Sequence, residues 1–123
     1  MTPHPTLISE RSGCPIATTL DVVGDKWSLV IIRDMATGKK RFGEFLSSPE
    51  GIPTNILTSR LKRMDETGLI EKTPYQTNPP RFDYVLTGRG RRLLPVLQEM
   101  CRWANGEAPD TWVPPESFMK ARA

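Results

Sequence analysis

Residues 51–90 limit the fold of this chain more than any other stretch. Residues 53–67 read as a helix with Leu57, Leu61 and Met64 at i, i+4 and i+7, one apolar side that a core must cover. Asn55, Ser59 and Lys62 repeat that spacing on the opposite side, flanked by Thr54, Thr58 and Arg63. Gly68 stops the helix, as a residue free to take positive φ. Residues 69–75 and 82–87 then read as two strands around a polar tip, residues 76–81, whose prolines cannot donate to a central ladder. A half-apolar helix followed by a two-stranded ribbon and a threonine-started helix predicts an α+β domain, mainly helical with a small β-wing.

The rest of the chain supplies helices to pack against that unit. Residues 1–13 hold Pro3 and Pro5 and no periodicity, and read as a flexible N-terminal arm. Pro15 opens a first helix to about Val23, because a missing N–H costs nothing at a first helical position. Ile16, Leu20 and Val23 give it an apolar stripe. Asp25 caps a second helix over residues 26–37, apolar through Trp27, Val30, Ile31 and Met35, and Gly38 ends it. Residues 39–41 form a basic link about one β-bridge long. A short third helix follows over residues 42–47 with Phe42, Phe45 and Leu46 inward, and residues 48–51 are turn chemistry.

Thr87 caps a last helix reaching about residue 104. Leu93, Leu94, Val96, Leu97, Met100, Cys101 and Trp103 cover more of it than one small core requires. Pro95 bends this helix or sits where its first turn gives way to the rest. Asn105-Gly106 stops it. The division expected is an arm over 1–13, a domain over 14–105 and a proline-rich C-terminal tail over 106–123.

Charge separates the partner classes. The chain has 123 residues and a net charge of +3, yet residues 39–92 alone carry +5 and the remainder −2. A basic segment of that kind suits a polyanion or a plain solvated surface. No apolar run approaches 18 residues, so no membrane span is expected. The first residues lack a secretory apolar region. Two cysteines, Cys14 and Cys101, and one histidine, His4, provide neither a disulfide framework nor a zinc set, so no metal or cofactor is expected and a reducing cytoplasm is the natural setting. Catalysis fails on inventory. His4 lies in the arm, Gly88-Arg89-Gly90 lacks the third glycine of a dinucleotide loop, and Asp65 and Glu66 point to different sides of a helix. The chain is therefore expected not to be an enzyme.

The third helix, a tight turn and the fourth helix make a helix-turn-helix, which lays its second helix in the major groove of double-stranded DNA. Asn55, Thr58, Ser59 and Lys62 are the base-edge candidates: asparagine pairs with adenine through two bonds, lysine favours guanine, and hydroxyls serve either. Thr54 and the free N–H groups of the helix start suit phosphate, as do Arg63 and Lys40. Asn78 and Arg81 at the hairpin tip would reach the neighbouring minor groove or backbone. A winged helix that binds protein instead would need a more apolar outer side.

The string Cys14-Pro15, Gly24-Asp25-Lys26-Trp27, Arg41-Phe42, Gly68-Leu69-Ile70, Pro79-Pro80 and Tyr84-Val85-Leu86-Thr87 resembles the HxlR-type (DUF24) winged-helix transcriptional regulators of bacteria, over about residues 14–104. The resemblance implies a homodimer, paired through first and last helices, on operator DNA. Family members tend to place a serine cap and then proline at the start of the recognition helix. Here Pro53 and Thr54 stand there, so either the cap moves to Thr54 or the helix start weakens. In several members a cysteine at the place of Cys14 senses oxidants or electrophiles, and the positive end of the helix dipole would favour its thiolate. The alternatives are an inert thiol packed between subunits, or a small effector held in a dimer cavity near Trp27.

Overall fold

The computed structural model describes residues 6–7 and 11–123. Most of the expected arm, and His4, therefore lie outside the described residues. Among those described, the elements run α1 (Pro15–Val23), α2 (Ser28–Ala36), α3 (Phe42–Leu46), α4 (Thr54–Glu66), β1 (Ile70–Thr77), β2 (Pro80–Leu86), α5 (Gly88–Arg91), α6 (Leu94–Glu107) and α7 (Glu116–Lys120). The result is mainly helical with one two-stranded antiparallel sheet, the winged-helix arrangement expected.

The apolar periodicities converge on one core. Ile31 and Ile32 of α2, Phe45 of α3, Leu57, Leu61 and Met64 of α4, and Leu69 and Ile70 at the root of the wing are buried together, Leu57 with none of its surface exposed. Each such side chain contributes roughly 1.5–3 kcal/mol by leaving water. The core thereby engages one side of α4 only. Phe45 also meets the Tyr84 ring edge-on at 6.3 Å, tying α3 to β2.

Several boundaries differ from expectation for identifiable reasons. α2 begins at Ser28 rather than residue 26, after a turn through Lys26 and Trp27, so the cap position falls on Trp27 and not on Asp25, whose carboxylate still accepts from the N–H groups of Trp27 and Ser28 at 3.1 Å each. The strands are longer than expected and close on a two-residue tip, Asn78-Pro79. Pro74 and Pro80 fit inside them because a two-stranded ribbon leaves each strand one free edge. A bulge lies between the Pro74 and Gln76 pairings.

The last helix is two. Thr87 Oγ1 accepts from Gly90 N at 3.2 Å to start α5, a turn follows at Arg92 and Leu93, and Pro95 sits in the first turn of α6. The expected stop at Asn105-Gly106 is wrong, because α6 continues through both to Glu107. Asn105 instead donates through Nδ2 to Thr111 Oγ1 (2.9 Å) and the Trp112 carbonyl (3.1 Å), bonds that outweigh the modest helical cost of Gly106. Residues beyond 107 fold back. Gln98 Nε2 donates to the carbonyls of Phe118 (3.0 Å) and Ala121 (2.8 Å), and Phe118 packs on the core.

Candidate nucleic-acid interface

The turn before α4 is held from below by a buried polar network. Ser48 Oγ donates to Asp34 Oδ2 at 2.5 Å and accepts from Lys39 Nζ at 2.7 Å. Arg33 reaches Asp34 Oδ1 through Nε and Nη2, and grips Glu50 with two bonds of 2.7 and 2.9 Å. Those bonds, the Glu50 one first, hold the Arg33 guanidinium above its usual value and the Glu50 carboxyl below its own. Gly51 completes the turn at φ 70°, a conformation that favours glycine. Three elements, α2, the basic link and the turn, are thus locked together beneath α4. Sequence reasoning passed over this network because Asp34 reads there only as part of an apolar helix.

α4 starts at Thr54 with Pro53 as its cap, so the cap has not moved to Thr54, and no hydroxyl satisfies the first turn. Its leading N–H groups have no side-chain cap, a geometry suited to an anion. Thr54, Asn55, Thr58, Ser59, Lys62 and Arg63 are all exposed on one side. Thr58 Oγ1 donates back to the Thr54 carbonyl at 3.0 Å, leaving its lone pairs outward.

The basic residues of α4 divide sharply. Lys62 carries no hydrogen bond or ion pair among the described residues. Arg60 Nε is instead bonded to Asp25 Oδ2 at 2.8 Å, and Arg63 Nη2 donates to the Asp21 carbonyl. Arg60 attracted no particular role in the sequence, and its spacing gave no signal, since its partner lies 35 positions earlier.

The wing stands beside α4. Asn78 and Arg81 at its tip are exposed. Lys72 Nζ lies 4.7 Å from the Phe82 ring centre. Midway along the wing, Arg41 stacks 3.8 Å from the Tyr75 ring centre and bonds Asp83 Oδ1 at 3.0 Å. Lys40 accepts from Tyr84 N at 2.7 Å through its carbonyl, while its ammonium lies 3.9 Å from Asp83 Oδ2 and stays half-exposed. Glu44 accepts from the N–H groups of Lys40 and Arg41, which hold its carboxyl below the ordinary range.

Cys14 is exposed at the cap position of α1, and Cys101 is partly buried on α6. The Cys14 carbonyl accepts from Thr18 N, and its sulfur makes no capping bond. Ile16 (70% exposed) and Leu20 leave α1 with an open apolar side, and Val96, Met100 and Trp103 (72% exposed) do the same for α6. Beside Trp27 a single chain leaves about 10 Å³, room for no more than one water. Among the described residues no three His, Cys, Asp or Glu come together as a metal site, and no helix is long and apolar enough to cross a membrane.

Comparison with known proteins agrees with this geometry. The redox regulator HypR in its oxidised form matches with a TM-score of 0.68 at 36% identity, over 76% of this chain and 96% of that one. The transcriptional regulator YodB from B. subtilis in its reduced form matches with a TM-score of 0.66 at 28% identity, over 82% and 100%. YybR, an uncharacterised HTH-type transcriptional regulator of Bacillus subtilis (strain 168), is 35% identical over 103 residues, which is 84% of this chain and 82% of YybR. The relatives are named as transcriptional regulators, and this chain is one of the helix-turn-helix type. A model of HxlR-like helix-turn-helix proteins matches residues 22–111, from the end of α1 through the wing to beyond α6, and with that span the chain belongs to the HxlR-like helix-turn-helix family.

Proposed function

We propose that the protein is a cytoplasmic homodimer that binds a pseudo-palindromic operator in double-stranded DNA. α4 reads bases through Asn55, Thr58, Ser59 and Lys62. Thr54 and the uncapped N–H groups meet a phosphate, Lys40 and the free N–H groups of Arg63 flank it, and Asn78 and Arg81 reach the adjoining groove or backbone. The observation that carries this reading is the outer side of α4: small polar side chains around an unpartnered lysine, held outward by a core that engages only the other side. The open apolar sides of α1 and α6 support pairing of two copies, since an obligate interface resembles a core cut in half. A signal at Cys14, by oxidation or electrophile attack, is supported by the exposure of its thiol and by the likeness to HypR, itself named a redox regulator.

The test is a titration of promoter fragments between ~50 and ~200 mM salt, where loss of several phosphate contacts lowers affinity steeply. Lys62→Ala and Asn55→Ala should each weaken the specific duplex by ~1–3 kcal/mol and spare non-specific binding more. Arg81→Ala should weaken all sequences evenly and reduce the salt slope by about 1. If the three variants behave alike, direct reading by α4 is wrong. A protein that stays monomeric and ignores promoter fragments at low salt would remove the whole proposal.

A further inference from the structure

Two arginines one turn apart on α4 reach the same corner of the fold. Arg60 bonds the Asp25 carboxylate, and Arg63 donates to the Asp21 carbonyl at the end of α1. Asp25 is itself immobilised. It accepts from Ser28 Oγ at 2.5 Å and from the N–H groups of Trp27 and Ser28 at 3.1 Å each. Asp25 and Arg60 keep only 21% and 23% of their side-chain surface exposed, so solvent screens this pair less than a surface pair. The Asp21 carbonyl lies in the last turn of α1, where the helix dipole favours a cation. Attachment at two points about 4.5 Å apart along the axis opposes both sliding and rolling of a helix, which one contact cannot do.

We infer that Arg60 and Arg63 clamp the recognition helix to the α1–α2 corner and are positioning residues for base reading, Arg60 acting through Asp25 and not through DNA. This rests on the proposed operator binding and specifies what sets its geometry. Base contacts need placement within a fraction of an ångström, whereas phosphate attraction tolerates misplacement. A loosened clamp therefore lowers specific binding and leaves non-specific binding, with its counterion release, nearly intact.

The test uses the full chain, a duplex selected by it from a randomised library, and a scrambled duplex of equal length. Asn retains a capping oxygen for Trp27 and Ser28, so Asp25→Asn removes the charge while keeping the cap. Arg60→Gln and Asp25→Asn should each lower the ratio of selected to scrambled affinity by about tenfold, with an unchanged salt slope. The double variant should lose no more than either alone. Arg63→Gln, exposed and without a capping role, should also lower the ratio and serves if Asp25→Asn fails to fold; because Arg63 also flanks a phosphate in the proposed complex, its salt slope should fall by about 1 as well. The clamp is overturned if Asp25→Asn matches the unaltered protein while Arg60→Gln weakens both duplexes and flattens the salt slope, because Arg60 is then a phosphate contact. Unchanged ratios in all variants overturn it too. An unaltered protein that selects no duplex removes the operator reading and the clamp together, a distinct outcome from the failure of the clamp alone.

Discussion

Replacing Asp34 with alanine should cost about 3 kcal/mol of stability, and the structure says where the loss arises. Asp34 is 4% exposed and carries the bond from Ser48 Oγ at 2.5 Å and those from Arg33 at 2.8 and 3.2 Å. Without the carboxylate, the buried Ser48 hydroxyl loses its acceptor, a penalty of ~1–3 kcal/mol. The charge-assisted bonds to Arg33 add roughly 1.5–3 kcal/mol. The sum stays at the low end because Arg33 keeps Glu50 and is 31% exposed, so its charge is not stranded as in a wholly buried broken pair. Against a total stability of about 5–15 kcal/mol this is a large fraction. Urea unfolding at one fixed protein concentration measures it, since self-association would otherwise shift the midpoint. A cycle with Ser48→Ala should return a coupling of about 1 kcal/mol or more. A loss below 1 kcal/mol, or strict additivity with Ser48→Ala, would show that the turn before α4 is held by packing and that the network is incidental.

Two further perturbations are worked from the structure. Burial raises the Asp25 carboxyl, but the bonds from Ser28, Arg60 and the Trp27 and Ser28 N–H groups outweigh it and leave the pKa at about 2 against 3.8. A depressed carboxylate stabilises the fold fully above its unfolded value, and that contribution is lost as pH falls from about 4 through about 2. The face value of ~2 kcal/mol shrinks to about 1 because the pair with Arg60 still meets solvent. The stability gap between the unaltered protein and Asp25→Asn should accordingly narrow by about 1 kcal/mol between pH 5 and pH 2.5, and parallel curves would contradict the assignment. Cys14→Ser should bind its selected duplex normally yet stop responding to diamide or methylglyoxal in a mobility-shift assay, and a persisting response would take the sensing role away from that thiol.

The elements that could be read from the sequence are those whose signals are local. Leu57, Leu61 and Met64 announce a helix by period, Gly38 and Gly68 announce the ends of α2 and α4 by their freedom of φ, and Thr87 announces a cap by its place before Gly88. The outward side of α4 follows by subtraction once its inward side is known. What failed to show was non-local. Asn105-Gly106 looks like a stop until the bonds from Asn105 to Thr111 and Trp112 are seen. Gln98 gave no sign that it would hold the chain's last turn through Phe118 and Ala121. Pro80 reads as part of the tip because proline cannot donate to a central ladder, although in a ribbon of two strands neither strand is central. Nor was it legible that Arg60 and Arg63 are tied to the fold while Lys62 is not, since a charge count cannot say which cations have partners.

That last point changes how the basic segment should be understood. A carboxylate partner cancels an arginine's charge, as Asp25 does for Arg60 and Asp83 for Arg41. A carbonyl partner does not: Arg63 on Asp21, Arg89 on Thr67 and Arg91 on Leu86 keep their full charge while losing their freedom to move. The net +5 of residues 39–92 counts Asp83 against Arg41 but not Asp25 against Arg60, so for that pair it overstates by one charge the field that draws a polyanion toward this side of the molecule. It is a poor guide to the groups that touch bases. An arginine pinned by its own fold supplies long-range attraction and a fixed frame, whereas reading a base edge needs a side chain still able to choose its partner. On α4 that condition is met by Lys62 among the basic residues, with Asn55 beside it, while Thr58, bonded to the Thr54 carbonyl, and Ser59, accepting from Arg60 Nη1, keep hydroxyl capacity for one more partner. On the proposed operator reading, the partnered arginines Arg41, Arg60, Arg63, Arg89 and Arg91 therefore build the frame, Arg81 reaches out from the wing tip, and specificity falls to the shorter polar side chains and one lysine.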